Sequence, residues 1–132
     1  MANREGRWVK ALEAGEKLAV TSVCERFMAD VLKPRFLPEI RPNGFNYPVD
    51  ISGKWRGGKY AFLARYRSGW ADNAGEEFDA VFAGLDHVED RSMETLFDVM
   101  WHRHTGGWWR LYAAVPLGEA LSLIETDSRL QP

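Results

Sequence analysis

The stretch that decides the fold is Phe97-Asp98-Val99-Met100-Trp101-His102-Arg103-His104-Thr105-Gly106-Gly107-Trp108-Trp109-Arg110-Leu111-Tyr112-Ala113-Ala114-Val115. Apolar and polar residues alternate on either side of a Gly-containing break, the period of a strand with one face buried. A three-residue loop over Thr105–Gly107, with a glycine free to take positive φ, places Phe97, Val99, Trp101, Trp109, Leu111, Ala113 and Val115 on one face. A two-residue loop mixes that set with His and Arg, so the pattern selects the odd loop. The second face then carries His102, His104, Trp108, Arg110 and Tyr112. In this register Trp108 lies opposite His104, Arg110 opposite His102 and Tyr112 opposite Met100.

Upstream lies another hairpin of the same kind. Phe45, Tyr47, Val49, Ile51 and Trp55 alternate with polar residues, as do Tyr60, Phe62, Ala64 and Tyr66 beyond Gly57-Gly58. A Gly-Gly turn pairs Arg56 with Lys59, Trp55 with Tyr60, Asp50 with Arg65 and Val49 with Tyr66, so a carboxylate meets a guanidinium on the polar face. Ser68–Glu76 reads as a polar loop. Phe78–Glu89 suits either a helix or a strand, and the surrounding meander favours a strand over Ala80–Val88.

The ends read as helices. Val20, Val23, Phe27 and Val31 form a stripe flanked by Cys24 and Met28, with Ser22-x-x-Glu25 as a capping box. Trp8 and Leu12 suggest earlier turns, leaving a break near Gly15 open, and Pro34 should stop the helix near Lys33. At the other end Pro116 opens a helix with Leu117, Ala120, Leu121 and Ile124 on its apolar side. The expected fold is α+β: a mainly antiparallel five-stranded meander with an N-terminal helix and a short C-terminal helix on one face. One domain over 1–132 is expected, with 1–6 and 127–132 fraying.

The order of these segments resembles a small bacterial family of conserved proteins classed as a domain of unknown function. The likeness runs from the Glu25–Pro38 helix and Pro-containing stretch through Arg65-Tyr66-Arg67, Phe82–Val88 and Phe97–His104 to Trp108-Trp109-Arg110-Leu111-Tyr112. The Ser68–Phe78 loop is longer than in that family, and the C-terminal helix departs from it. The resemblance implies no activity.

Composition narrows the function. A net charge of −2 and a pI near 5.9 argue against a duplex-DNA binder, which neutralises phosphates with a basic surplus. The single cysteine, Cys24, excludes an internal disulfide and a thiolate metal cluster and suits a reducing cytoplasm. Set among apolar residues, Cys24 reads as an inert thiol. No apolar run approaches the ~20 residues of a membrane span, and no signal-peptide core precedes the domain. No phosphate-binding loop, dinucleotide fingerprint or nucleophile elbow occurs, so no cofactor is implied, and the reading leans away from an enzyme while leaving that question open.

Three constellations remain. His102-x-His104 projects two imidazoles from one strand face, where Asp98, His87 or the Asp86–Asp90 acids complete a metal site; a small metal-dependent hydrolase would follow. The aromatic and basic face of His102, His104, Trp108, Arg110 and Tyr112 suits a protein partner, a second copy of the chain, a small molecule such as a sugar, or single-stranded nucleic acid. The basic run Lys54, Arg56, Lys59, Arg65 and Arg67 offers phosphate binding, but reads more simply as a solvated face that protects a sheet edge. The favoured expectation is a cytosolic binding or interaction module using the aromatic and basic sheet face.

Overall fold

The computed structural model describes residues 12–88, 94–103 and 105–132. Trp8, residues 1–6, the Glu89–Asp90 pair and His104, all weighed above, lie outside the described residues.

Helix α1 (Ala14–Phe27) begins at a capping box formed by Glu13 and Glu16, with the Glu13 amide donating to Glu16 Oε1 at 3.0 Å. Both carboxylates also suit the positive end of the helix. Ser22 and Glu25 lie inside the helix, so the expected box there does not form, and Gly15 sits in the first turn without a break. A π-turn (Met28–Leu32) follows α1, then a short helix α2 (Lys33–Phe36). The chain therefore stays helical through Pro34. The π-turn makes this possible: the Lys33 amide bonds back to the Met28 carbonyl, and Pro34 enters a new first turn, where a missing N–H costs little. The buried stripe is Val20, Cys24, Met28 and Leu32, one step round from the expected one, and Val23 is 46% exposed. The wide turn keeps Met28 and Leu32 on the same side.

Five antiparallel strands follow in sheet order β1-β2-β3-β4-β5: β1 Asn46–Arg56, β2 Lys59–Ser68, β3 Glu77–Val88, β4 Leu96–His102 and β5 Trp108–Pro116. The expected meander and its flanking helices are present, and Phe78–Val88 is strand because it fills the sheet centre between β2 and β4. The Gly57-Gly58 turn pairs Arg56 with Lys59 and Asp50 with Arg65 as the sequence pattern requires. A bulge at Val49 puts Pro48, not Val49, opposite Tyr66. It also redirects the charges: Lys33 Nζ lies 3.2 Å from Asp50, while Arg65 pairs with Asp79 at 2.9 Å.

The β4–β5 loop is odd, as expected, but spans 103–107, because pairing ends at His102 and Trp108. The Arg103 amide bonds the Gly107 carbonyl at 2.9 Å, and Gly106 takes φ +101°. Two irregularities then restore the expected pairing of Phe97 with Val115. Near one of them Ala114 adopts φ 51°, its amide donating to Asp98 Oδ1 at 2.9 Å. Both bulges lie on an edge strand, where broken pairing discourages edge-to-edge addition of another chain.

Helix α3 (Leu117–Thr126) starts after Pro116, its N-cap, and buries Ala120, Leu121 and Ile124, the expected stripe. One core joins α1, the π-turn and α3 to Ile51, Tyr60, Phe62, Ala64, Phe82, Ala83, Leu85, Phe97 and Val99 on one sheet face. Ala61 and Leu63 are buried too, yet stand outside that cluster because they point to the other face. The segment after α3 does not fray. A 3₁₀ turn (Ser128–Leu130) carries Leu130 into the core with no exposed surface. No helix among the described residues is long and apolar enough to cross a membrane.

Candidate binding face

With the described helices on one side, register alone assigns the other side. Its rows run Arg56, Lys59, Asp86, Asp98, then Lys54, Ala61, Gly84, Met100, Arg110, then Leu63 and Val81, with His102 and Trp108 toward the hairpin tip. Small residues make the middle of this face a shallow floor. Gly84 is decisive: a Cβ there would lie 3.0 and 3.1 Å from the Trp108 ring and 3.3 Å from the Lys59 side chain. Trp108 therefore reaches from β5 across β4 to β3. Its ring meets His102 edge-on at 4.8 Å between centroids, and Lys59 Nζ stands 4.2 Å from the ring centroid.

The charges of this face divide in two. Toward one end Arg65 and Arg67 are neutralised by Asp79 and Glu77, at 2.9 and 2.8 Å. The Arg65 guanidinium holds the Asp79 carboxyl below its ordinary range, first by hydrogen bonding and then by charge. At the β1–β2 turn Arg56 and Lys59 face each other with Lys54 beside them, and none of the three has a carboxylate within ion-pairing distance among the described residues. Like charges directly across a ladder are destabilising. Arg110 approaches Asp98 at 3.6 Å, and Asp86 is the cross-strand neighbour of both Lys59 and Asp98.

The residues picked out from the sequence do not all meet. His102, Trp108 and Arg110 share the free face, but Trp108 pairs with His102 and Arg110 with Met100, two steps from the expected register. Tyr112 belongs to the helix face, opposite Val99, because the irregularity beside it inverts its direction. Its hydroxyl donates to Asp127 Oδ2 at 2.7 Å. Arg129 first, then this tyrosine, hold the Asp127 carboxyl far below its ordinary range. Tyr112 is thus a clamp for the chain after α3. His87 lies against Phe97 on the helix face, with 5.9 Å between ring centroids, whereas His102 is on the free face nearer the hairpin tip. His87 and His102 of the expected metal set are thus on opposite faces of the sheet, and no group of three metal-capable side chains occurs among the described residues.

Other residues were missed. Lys54, Arg56 and Lys59 read as a solvated edge in the sequence, but the fold brings Lys59 onto Trp108. Trp109, counted with the core by alternation, is 54% exposed, with Arg103 5.3 Å from its ring centroid. Gly84 gave no signal at all, since a glycine within a strand does not announce which ring will cross it. An exposed aromatic pair, Phe45 against Trp70 at 5.1 Å, sits at the opposite end of the β1–β2 ladder.

The chain belongs to a family described as a domain of unknown function (DUF3024), whose model matches residues 12–130. The match extends beyond the Glu25–Tyr112 resemblance to include α3 and the docked turn after it. Comparison with curated proteins and with solved structures returned no match.

Proposed function

We propose that this DUF3024 domain is a binding module whose sheet face opposite the described helices receives an anionic partner. The observation that supports it is the cluster of Lys54, Arg56 and Lys59, side by side and without an ion pair among the described residues, with Lys59 over the Trp108 ring. Arg56 and Lys59 set like charges directly across the β1–β2 ladder, although Asp86 neighbours Lys59 on β3, whereas Arg65 with Asp79 and Arg67 with Glu77 are opposite charges in closed ion pairs. Concentrated positive charge on an otherwise acidic domain steers an anionic partner to one place. A reducing cytoplasm suits the proposal, because Cys24 is a buried free thiol.

Titration with inorganic polyphosphate tests it. Binding should weaken as salt rises and should be lost when Lys54→Glu and Arg56→Glu are combined, two exposed substitutions that leave the core untouched. Binding that survives the double reversal, or that is absent from the parent protein, removes the proposal.

A further inference from the structure

We infer that the anionic partner is single-stranded nucleic acid, its phosphates held by Lys54, Arg56 and Lys59 and one base stacked on Trp108. This rests on the binding reading above and names the partner of the same face.

Three observations lead there. The first is the position of Trp108: anchored on an edge strand, it crosses the free face to Gly84 and remains only partly buried. An aromatic lying over an antiparallel sheet whose other side is covered by helices is a common platform for unpaired bases. The second is what now occupies the ring. Lys59 Nζ stands 4.2 Å from its centroid, and Lys59 has no ion pair among the described residues. A cation held only by a partly exposed ring is weakly held, and a base has a larger surface with which to replace it. The displaced ammonium is then free for the phosphate carried by that nucleotide, so a single side-chain movement creates both contacts.

The third is the shape of the charge. Arg56, Lys59 and Lys54 lie together on two neighbouring strands, and Lys59 reaches the tryptophan. Asp86, beside Lys59 in the ladder, and Asp98 repel phosphate from the β3–β4 part of the same row. The strand is thereby confined to a path over β1 and β2 that ends at the ring. A duplex does not fit this arrangement, since its bases are stacked inward and its phosphates alone would meet three cations on a chain of net charge −2. A run of acidic side chains would satisfy the cations but, unlike a nucleotide, carries no ring on the same unit as its charge to offer Trp108.

The test uses the full chain with a fluorescein-labelled oligo-deoxythymidylate, followed by anisotropy, with inorganic polyphosphate and poly-glutamate as competitors. The oligonucleotide should bind in a salt-sensitive manner, and Trp108→Leu should weaken it about tenfold or more while leaving polyphosphate affinity unchanged. The unchanged polyphosphate affinity also shows that the variant is folded. Asp86→Asn should tighten oligonucleotide binding. Polyphosphate binding without oligonucleotide binding overturns the nucleic-acid inference but leaves the anionic-partner reading intact. Oligonucleotide affinity indifferent to Trp108→Leu likewise overturns it. If none of the three polyanions binds, both fail.

Discussion

Tyr60→Phe should make this protein more stable, and the reason is local. Tyr60 is 1% exposed, its ring lies across Gly53 beneath the helices, and its hydroxyl has no hydrogen-bond partner among the described residues. Burial, and then the neighbouring Cys24 and Glu25, push its ionisation well above the ordinary tyrosine range, so it is a neutral, unpaired donor at every physiological pH. An unsatisfied buried hydroxyl costs about 1–3 kcal/mol. Deleting the oxygen leaves a void on the order of 15 Å³, which at roughly 24 cal/mol per Å³ returns only about 0.4 kcal/mol of that gain. The net stabilisation should be about 1–2 kcal/mol. For a chain of this length the usual unfolding entropy converts each kcal/mol into about 4 °C, so Tm should rise by about 4–8 °C. Thermal unfolding by circular dichroism reads the shift, and urea titration should show a higher midpoint at unchanged slope. A Tm that is unchanged or lower would refute the reasoning, since it would mean that the hydroxyl is satisfied, for instance by a buried water. The same substitution at Tyr112, whose hydroxyl is bonded to Asp127, should lower Tm instead.

Gly53→Ala should destabilise by roughly 1–3 kcal/mol, because a Cβ there overlaps the Tyr60 ring end, and the loss should shrink in a Tyr60→Phe background; equal losses in both backgrounds would rule out the clash. Leu130→Ala should cost about 2–5 kcal/mol in denaturant unfolding, as expected for a leucine with no exposed surface, whereas a loose chain end would lose nothing measurable. Burial first, and then Glu25, push the Cys24 thiol up to about 12 from 9.0. Above pH 9 the unfolded chain therefore gives up a proton that the folded chain keeps, and stability should fall as pH rises from about 9 toward 12, by up to about 1.4 kcal/mol per pH unit from this group. Cys24→Ala should flatten the fall between pH 9 and 10, where the thiol contributes more than Tyr60, whose ordinary value is 10.0; an unaltered slope would show that the thiol titrates normally in the native state.

Much of the architecture was legible in the residues because strand and helix periods are local. Alternation around Gly57-Gly58 gave the tip register of the first hairpin, and the stripe Ala120, Leu121 and Ile124 marked the buried side of α3. The loop parity at Gly106-Gly107 correctly put Trp101 opposite the helices and His102 away from them. Alternation failed where the backbone adds or loses a residue. The irregularities of β5 turned Tyr112 toward Asp127, the bulge at Val49 sent Asp50 to Lys33, and the π-turn carried the helix past Pro34. Such features obey contacts made elsewhere in the chain and leave no periodic mark.

The sequence by itself determined the α+β class, the meander and the side of each hairpin that folds. Those are consequences of hydrophobic alternation and turn chemistry within a few residues. Only the tertiary structure decided what the other side contains. Lys59 and Trp108 are far apart in the chain, and each alone reads as an ordinary strand residue. They meet because the indole reaches from β5 across β4 and the lysine reaches over from β2, together covering the three strand spacings, about 14 Å, between their strands, and because Gly84 has no Cβ in the way.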